Sequence, residues 1–327
     1  MIVLTANLLQ VVSKNNESWF PDLHIKIVKE IISSGGAFKD ISTQDTSVGY
    51  LTPKEWHMEM KSLIEKKKKK EDNAGGAKDD EEVETVLIDV RNHKECQIGN
   101  FAPGISIDPQ TKTFSQFPKW VKENADSSTT DTTASPNPSL LTNKRILMYC
   151  TGGIRCEKAS AYIRQTVPNN KGIYHLKGGI HKYLEEYGGG QDASECKDDQ
   201  DDKAASNTDE CLFVGKNFVF DRRGALDAKG HGVDNQKFSD SNQVDGVIGV
   251  CQYCADPYDV FHPDIVCCVC REPILACSKC QRELSEKQRQ LRGLAPLRDG
   301  DNTNDISCRT EYHCEVHFHL KLCYTSG

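Results

Sequence analysis

No run of about 18 apolar residues occurs in this 327-residue chain, so no transmembrane helix is expected. A basic segment leading into an apolar stretch and a cleavage site is missing at Met1-Ile2-Val3-Leu4-Thr5, so no signal peptide is expected either. Aromatic residues make up 7% and apolar residues 37%, too little to fill a core along the whole length. An excess of positive charge is also lacking. The 41 Lys and Arg against 48 Asp and Glu leave a net charge of −7, which argues against a broad nucleic-acid groove. A local basic patch stays compatible with that total, because acidic insertions inflate it.

The apolar deficit has an address. Lys66 to Lys70 is a basic run, followed by a Gly/Ala/Asp/Glu stretch to Glu84. Asp126 to Pro138 is rich in Ser, Thr, Asp and Pro; Gln191 to Glu210 is acidic, and Gly224 to Gly246 is polar. These segments read as linkers or surface insertions. The lysine run could touch RNA phosphates, but its acidic neighbour favours a solvated linker.

Cysteine, by contrast, is plentiful. Fifteen is an odd number, and several cysteines fall in C-x-x-C pairs near the C-terminal end. That pattern points to metal sites and a reactive thiol in a reducing compartment rather than to disulfides. An intracellular, cytoplasmic location is the matching expectation.

The densest chemical signal is Cys150-Thr151-Gly152-Gly153-Ile154-Arg155-Cys156. It follows the apolar run Arg145-Ile146-Leu147-Met148-Tyr149, which reads as a buried strand, and precedes a helix start at Glu157. Cys150 therefore sits on a strand-to-helix turn, where backbone N–H groups point at an anion and lower a thiol pKa. The glycines free the loop, and Arg155 adds a fixed positive charge. Cysteine phosphatases built this way have one more residue between Cys and Arg, which makes room for a phosphate. The four residues between Cys150 and Arg155 make a smaller cradle that suits one terminal sulfur atom. The bland reading, a buried core cysteine, leaves the anion-binding loop unexplained.

This loop resembles the active-site loop of the rhodanese family. Val86-Leu87-Ile88-Asp89-Val90-Arg91, Ile98 to Ile105 and Tyr174 to Ile180 resemble its other motifs, in the same order, with Asn100 where His is usual. Met148 to Tyr162, Gly49 to Trp56, Asp89 to His93, Gly178 to Tyr183 and Phe213 to Asp221 are similar to the oxygen-dependent tRNA uridine 5-hydroxylases and their eukaryotic rhodanese-like relatives. The resemblance implies an α/β fold: a rhodanese-like parallel sheet flanked by helices, a truncated N-terminal α+β region, and a cysteine-rich, zinc-ribbon-like tail. It divides the chain into a partial ferredoxin-like region at 1–65, a charged linker at 66–84, a rhodanese domain at 85–190 with an insertion near 124–142, an acidic linker at 191–210, and the tail at 211–327.

Alternation in Leu23 to Ile32 favours a strand, and Thr52-Pro53-Lys54-Glu55 reads as the start of a helix running to about Glu65. Further strands are predicted at 86–90, 145–149 and 172–176, and helices at 93–98, 115–123, 157–166 and 180–186.

In the tail, Cys251-x-x-Cys254 and Cys277-x-x-Cys280 resemble the two knuckles of a four-cysteine zinc ribbon, with a spacer slightly longer than usual. Cys267 or Cys268, with Cys270, could join Cys308, Cys314, His317, His319 or Cys323 in a second one. The bland alternative is a loosely ordered, cysteine-rich tail. No organic cofactor is evident.

Cys150 and Arg155 are the expected catalytic pair, with Thr151, Gly152, Gly153, Ile154 and Cys156 completing the loop. Asp89 and Arg91 either serve the loop and its substrate or form a buried ion pair that orders a turn. Cys156 either resolves an oxidised Cys150 or fills the core. His93 and His181 stay outside the catalytic set. Three functions compete: uridine hydroxylation on tRNA, implied by the resemblance; sulfur transfer from a small sulfane donor to a thiol acceptor through a Cys150 persulfide; and a non-enzymatic, zinc-dependent interaction protein. The intact loop argues against the third.

Overall fold

The computed structural model describes residues 30–38, 49–72, 83–125, 139–167, 169–188, 210–220, 225–227, 246–262, 264–296 and 310–318. The expected strand at 23–32 falls mostly outside them. So do most of the polar stretches at 126–138, 191–210 and 224–246, together with Cys308, His319 and Cys323. Among the described residues no helix is long and apolar enough to cross a membrane.

Four parallel strands form the central sheet, in the order β1 (Gly49–Leu51), β5 (Ile173–Leu176), β4 (Arg145–Tyr149) and β2 (Thr85–Asp89). The apolar runs of β2 and β4 mark strands buried on both faces. Side chains alternate along a strand, so Val86, Ile88, Ile146 and Met148 share one face. There they pack with Phe117 and Val121 of α3 (Phe117–Ala125) and with Ala159 and Ile163 of α4 (Ile154–Thr166). Leu87, Leu147 and Tyr149 face the other way. They meet Trp56 and Met60 of α1 (Pro53–Asp72) and Ile180, Tyr183 and Leu184 of α5 (Gly179–Tyr187). The result is a parallel sheet with helices on both faces, as expected.

The predicted elements recur with shifted ends. The helix expected at 157–166 begins at Ile154, so Arg155 and Cys156 lie in its first turn. The helix expected at 115–123 is a 3-10 turn, Phe114–Gln116, followed by α3. The short α2 is His93–Cys96 and β3 is Gly99–Phe101.

Two expected boundaries move. Thr52 and Glu55 cap α1 reciprocally: the Thr52 N–H donates to the Glu55 carboxylate at 2.8 Å, and the Glu55 N–H donates to Thr52 Oγ1 at 3.3 Å. The helix then runs past Glu65 to Asp72, taking in Lys66 to Lys70, because lysine is a good helix former. Residues 49–72 are thus an edge strand and a covering helix of the central sheet rather than part of a separate N-terminal region. At the other end, β6 (Phe213–Gly215), β7 (Asn217–Phe218) and β8 (Ala225–Leu226) precede the cysteine-rich part. Phe213 packs on Phe101 with ring centroids 5.2 Å apart, so this segment belongs with the sheet. The chain divides into two compact units, 1–96 with 100–233, and 97–99 with 234–327.

The second unit is built on two turns of the same form. Cys251 N–H donates to Asp256 O and Ala255 N–H to Cys251 O, each at 2.8 Å. Cys267 N–H donates to Glu272 O at 2.8 Å, and Arg271 N–H to Cys267 O at 2.9 Å. In both turns the residue after the C-x-x-C pair is left-handed, Ala255 at φ 60° and Arg271 at φ 64°. Helices α6 (Ser278–Leu291) and α7 (Glu315–Phe318) complete the unit.

Candidate active site and metal centres

Cys150 follows the last residue of β4 and is only 1% exposed. Gly153, left-handed at φ 88°, turns the chain into α4 and donates its N–H to Cys150 Sγ at 3.1 Å. Burial pushes the thiol pKa up. The Cys156 thiol, the Arg155 charge and the amides of Cys156 and Arg155 outweigh burial and bring Cys150 down to about 6. Cys156 is fully buried; burial, and donation to Cys150, push its own thiol up. A thiolate so enclosed reacts only with a group that enters the loop.

Arg155 is held by Glu95 of α2, a residue that sequence reasoning passed over. Its Nη1 and Nη2 donate to the two Glu95 oxygens at 2.5 and 2.7 Å. Nη2 also donates to Thr151 Oγ1 at 3.0 Å, and that hydroxyl donates to Glu95 at 3.2 Å. Burial works to raise the Glu95 carboxyl, but the Arg155 bonds and charge hold it below the ordinary range. Burial works to lower the Arg155 guanidinium; Glu95 prevails and raises it. The available signal was Asn92-x-x-Glu95, which reads as an ordinary helix cap. Glu95 does accept the Asn92 N–H, at 2.9 Å.

Asp89 and Arg91 form a two-pronged, fully buried ion pair, with Arg91 Nε and Nη2 2.9 and 2.7 Å from the Asp89 carboxylate. Arg91 also lies 5.8 Å from the ring centroids of Tyr149 and Phe213. This geometry is that of a pair ordering the turn after β2.

The Gly178-Gly179-Ile180 turn clamps the loop from the side of β5. Ile180 N–H donates to Cys150 O and His181 N–H to Thr151 O, both at 3.0 Å. Gly179 comes so close that a Cβ there would lie 2.5 Å from Cys150 O, 2.6 Å from Thr151 O and 2.7 Å from Gly152 N. A Cβ on Gly152 would meet nothing within 4 Å, so the loop is open on that side.

A rhodanese-like domain model matches residues 71–186, and a rhodanase C-terminal model matches 214–290. The chain is a rhodanese-domain protein. Among its curated relatives are proteins named tRNA uridine(34) hydroxylase. The one from Agrobacterium fabrum is 32% identical over 271 residues, 83% of this chain and 63% of that protein. The one from Prochlorococcus marinus (strain MIT 9515) is 34% identical over 216 residues, 66% of this chain and 52% of that protein. Rhodanese-like domain-containing protein 6 of Arabidopsis thaliana is 29% identical over 268 residues, 81% of this chain and 36% of that protein. The chain thus spans less than two thirds of the length of each of these relatives.

The second unit of this rhodanese-domain protein brings together two groups of four metal-ligating side chains. Cys251, Cys254, Cys277 and Cys280 form the expected one, with Cys254 and Cys277 sulfurs 3.7 Å apart. The other draws on the candidates named for a second site: it joins Cys267, Cys270, Cys314 and His317. The Cys270 and Cys314 sulfurs lie 3.6 Å apart, and His317 Nδ1 is 3.1 Å from Cys314 and 3.4 Å from Cys267. Within each group all donor atoms lie within 4.8 Å of one another. Tetrahedral zinc, with Zn–S near 2.3 Å, sets sulfurs about 3.8 Å apart, so both groups fit a zinc ion. Cys268 is not in this set. A C-x-x-C turn directs its first and last residues inward, and Cys268, the second, sits instead near Glu311 and His313.

Proposed function

We propose that this chain is a rhodanese-type enzyme that hydroxylates a uridine of tRNA, with Cys150 as the reacting thiol. The observation that carries the reading is the place of Cys150, on the turn between β4 and α4 with the Gly153 N–H 3.1 Å from its sulfur and open space at Gly152; the thiol, lowered to about 6, supports it. The names of the curated relatives support tRNA uridine as the substrate. A thiolate adds to C6 of a uracil ring, which breaks the C5–C6 π bond and moves its electron pair to C5. The C5 carbanion then attacks a peroxide, formed from molecular oxygen and a two-electron reductant: the O–O bond breaks, one oxygen goes to C5 as a hydroxyl group, and the other leaves as hydroxide. Loss of the C5 proton and expulsion of the thiolate restore the double bond. Arg155 stabilises the thiolate before it adds and after it is expelled, and Glu95 keeps Arg155 in place.

A second reading, sulfur transfer, is favoured by the small loop and by the Gly153 N–H aimed at the sulfur. Here the Cys150 thiolate attacks a sulfane donor such as thiosulfate, sulfite leaves, and the outer sulfur of the persulfide passes to a thiol acceptor. Both four-ligand groups hold structural zinc in this account, each closing four ligands without an open position.

Incubating the full chain with an unmodified tRNA transcript, a reductant and air, and in parallel with thiosulfate, separates the readings. The first predicts 5-hydroxyuridine that requires both Cys150 and oxygen. A Cys150 persulfide from thiosulfate with no tRNA product would favour the second.

A further inference from the structure

Phe220 ends the described segment 210–220 and leaves 65% of its surface exposed. Its ring nonetheless has close neighbours. Phe218, 9% exposed, meets it edge-on with centroids 5.1 Å apart at 74°. The Lys94 ammonium lies 5.6 Å from its centroid and the Arg155 guanidinium 6.0 Å. That guanidinium is the one that holds Cys150 as a thiolate. The ring therefore stands over the charged partner of the reactive sulfur while most of it faces water.

An exposed phenylalanine backed by two cations is poorly explained as core packing, since a lid over Arg155 needs only one covered face. It matches the way proteins hold single-stranded nucleic acid, in which a base stacks on an aromatic face and nearby cations meet the backbone. In a chain of net charge −7, such a local grip does not depend on a broad basic groove. We propose that Phe220 is the stacking platform for an unpaired nucleobase of the RNA substrate, with Lys94 taking an adjacent phosphate. The base lies on the solvent side of the ring and is thereby brought beside the Cys150 loop. This inference rests on the tRNA reading above and names the residue that positions the substrate.

The test uses the full chain and a fluorescent anticodon stem-loop RNA. Binding is read by anisotropy in the Cys150→Ser background, so no turnover is needed, and hydroxylation is read separately in the Cys150 parent. Phe220→Ala and Phe220→Leu should each weaken binding on the order of ten- to hundredfold, while Phe220→Trp should bind as tightly as the parent. Leucine keeps an apolar cover on Arg155 but cannot stack, so it separates a lid from a platform. Thermal melts of the variants confirm folding. Lys94→Gln should weaken binding and reduce its salt dependence by about one phosphate contact. Phe220→Leu binding within twofold of the parent overturns the inference even if the parent hydroxylates RNA. Stacking-dependent binding without hydroxylation supports the platform and overturns the proposed activity.

Discussion

Arg155 and Glu95 form a closed pair under the Cys150 loop: both terminal guanidinium nitrogens reach the carboxylate, and neither residue is more than 7% exposed. One end of the pair faces Thr151 and the other supplies the charge that ionises Cys150. Breaking it by Arg155→Met strands a buried carboxylate and should destabilise the protein by about 3–5 kcal/mol. The double change Arg155→Met with Glu95→Met should recover much of that loss, because neither charge remains buried alone. It should not recover thiol reactivity, since the cation is still gone. Denaturant melts and iodoacetamide labelling of the parent and the two variants check both halves.

The Cys150 thiolate should titrate with a midpoint near pH 6. Labelling should rise from pH 5 to 7 and level off above. Cys156→Ala removes the thiol that donates to the sulfur, so the midpoint should move upward, toward the free-thiol value of about 8.5. Cys156→Ser keeps a donor and should move it less. Because the folded pKa is depressed, the stabilising effect of this group is full above the ordinary thiol range and is lost as pH falls through 6. Cys150→Ala should accordingly lose more stability relative to the parent at pH 9 than at pH 6. Equal losses at both pH values contradict the shift.

Gly179 and Gly152 make a paired test of the loop. Gly179→Ala forces a Cβ against three backbone atoms of the loop and must adopt φ 67°, so it should cost stability and slow Cys150 labelling more than tenfold. Gly152→Ala adds the same methyl where nothing lies within 4 Å and should leave the fold as stable as the parent. A Gly179→Ala variant with normal labelling and normal melting refutes the close approach.

The metal ligands interleave along the chain. The pairs 251/254 and 277/280 form one group, and 267/270 and 314/317 the other, so each segment between ligands of one group holds or borders ligands of its neighbour. With zinc in both groups, loss of the ion from one should loosen the loops that carry the other. Elemental analysis of the full chain should find two zinc ions. Cys251→Ser or Cys267→Ser should each lower the content by more than one and expose the thiols of both groups to labelling. Thiolates must lose a proton to bind, so zinc should be released as pH falls. Loss of only one ion from either variant, with the other group still protected, contradicts the coupling.

The loop was legible because its chemistry is local: strand, cysteine, glycines and arginine follow one another from Arg145 to Arg155. Two of its partners come from elsewhere and carry no local mark. Glu95 looks like a helix cap until the fold sets it against Arg155, 60 residues on. The sheet edge at Gly49–Leu51 is three residues long, too short for a period, and only its pairing with β5 reveals it. Lys66 to Lys70 suggested a linker by composition, while the packed turns before it let the helix continue. The second metal group was visible only as candidates: Cys267, Cys270, Cys314 and His317 were all named, but the turn geometry that rejects Cys268 and the choice of His317 among the distant ligands belong to the folded chain.

Nucleoside mass spectrometry of tRNA bears most directly on the central claim. The measurement compares cells that lack the protein with the same cells carrying the parent or the Cys150→Ser chain. Hydroxylation by Cys150 predicts that 5-hydroxyuridine derivatives fall when the protein is absent, return with the parent, and stay low with Cys150→Ser. Unchanged levels in all three, or full restoration by Cys150→Ser, would contradict it.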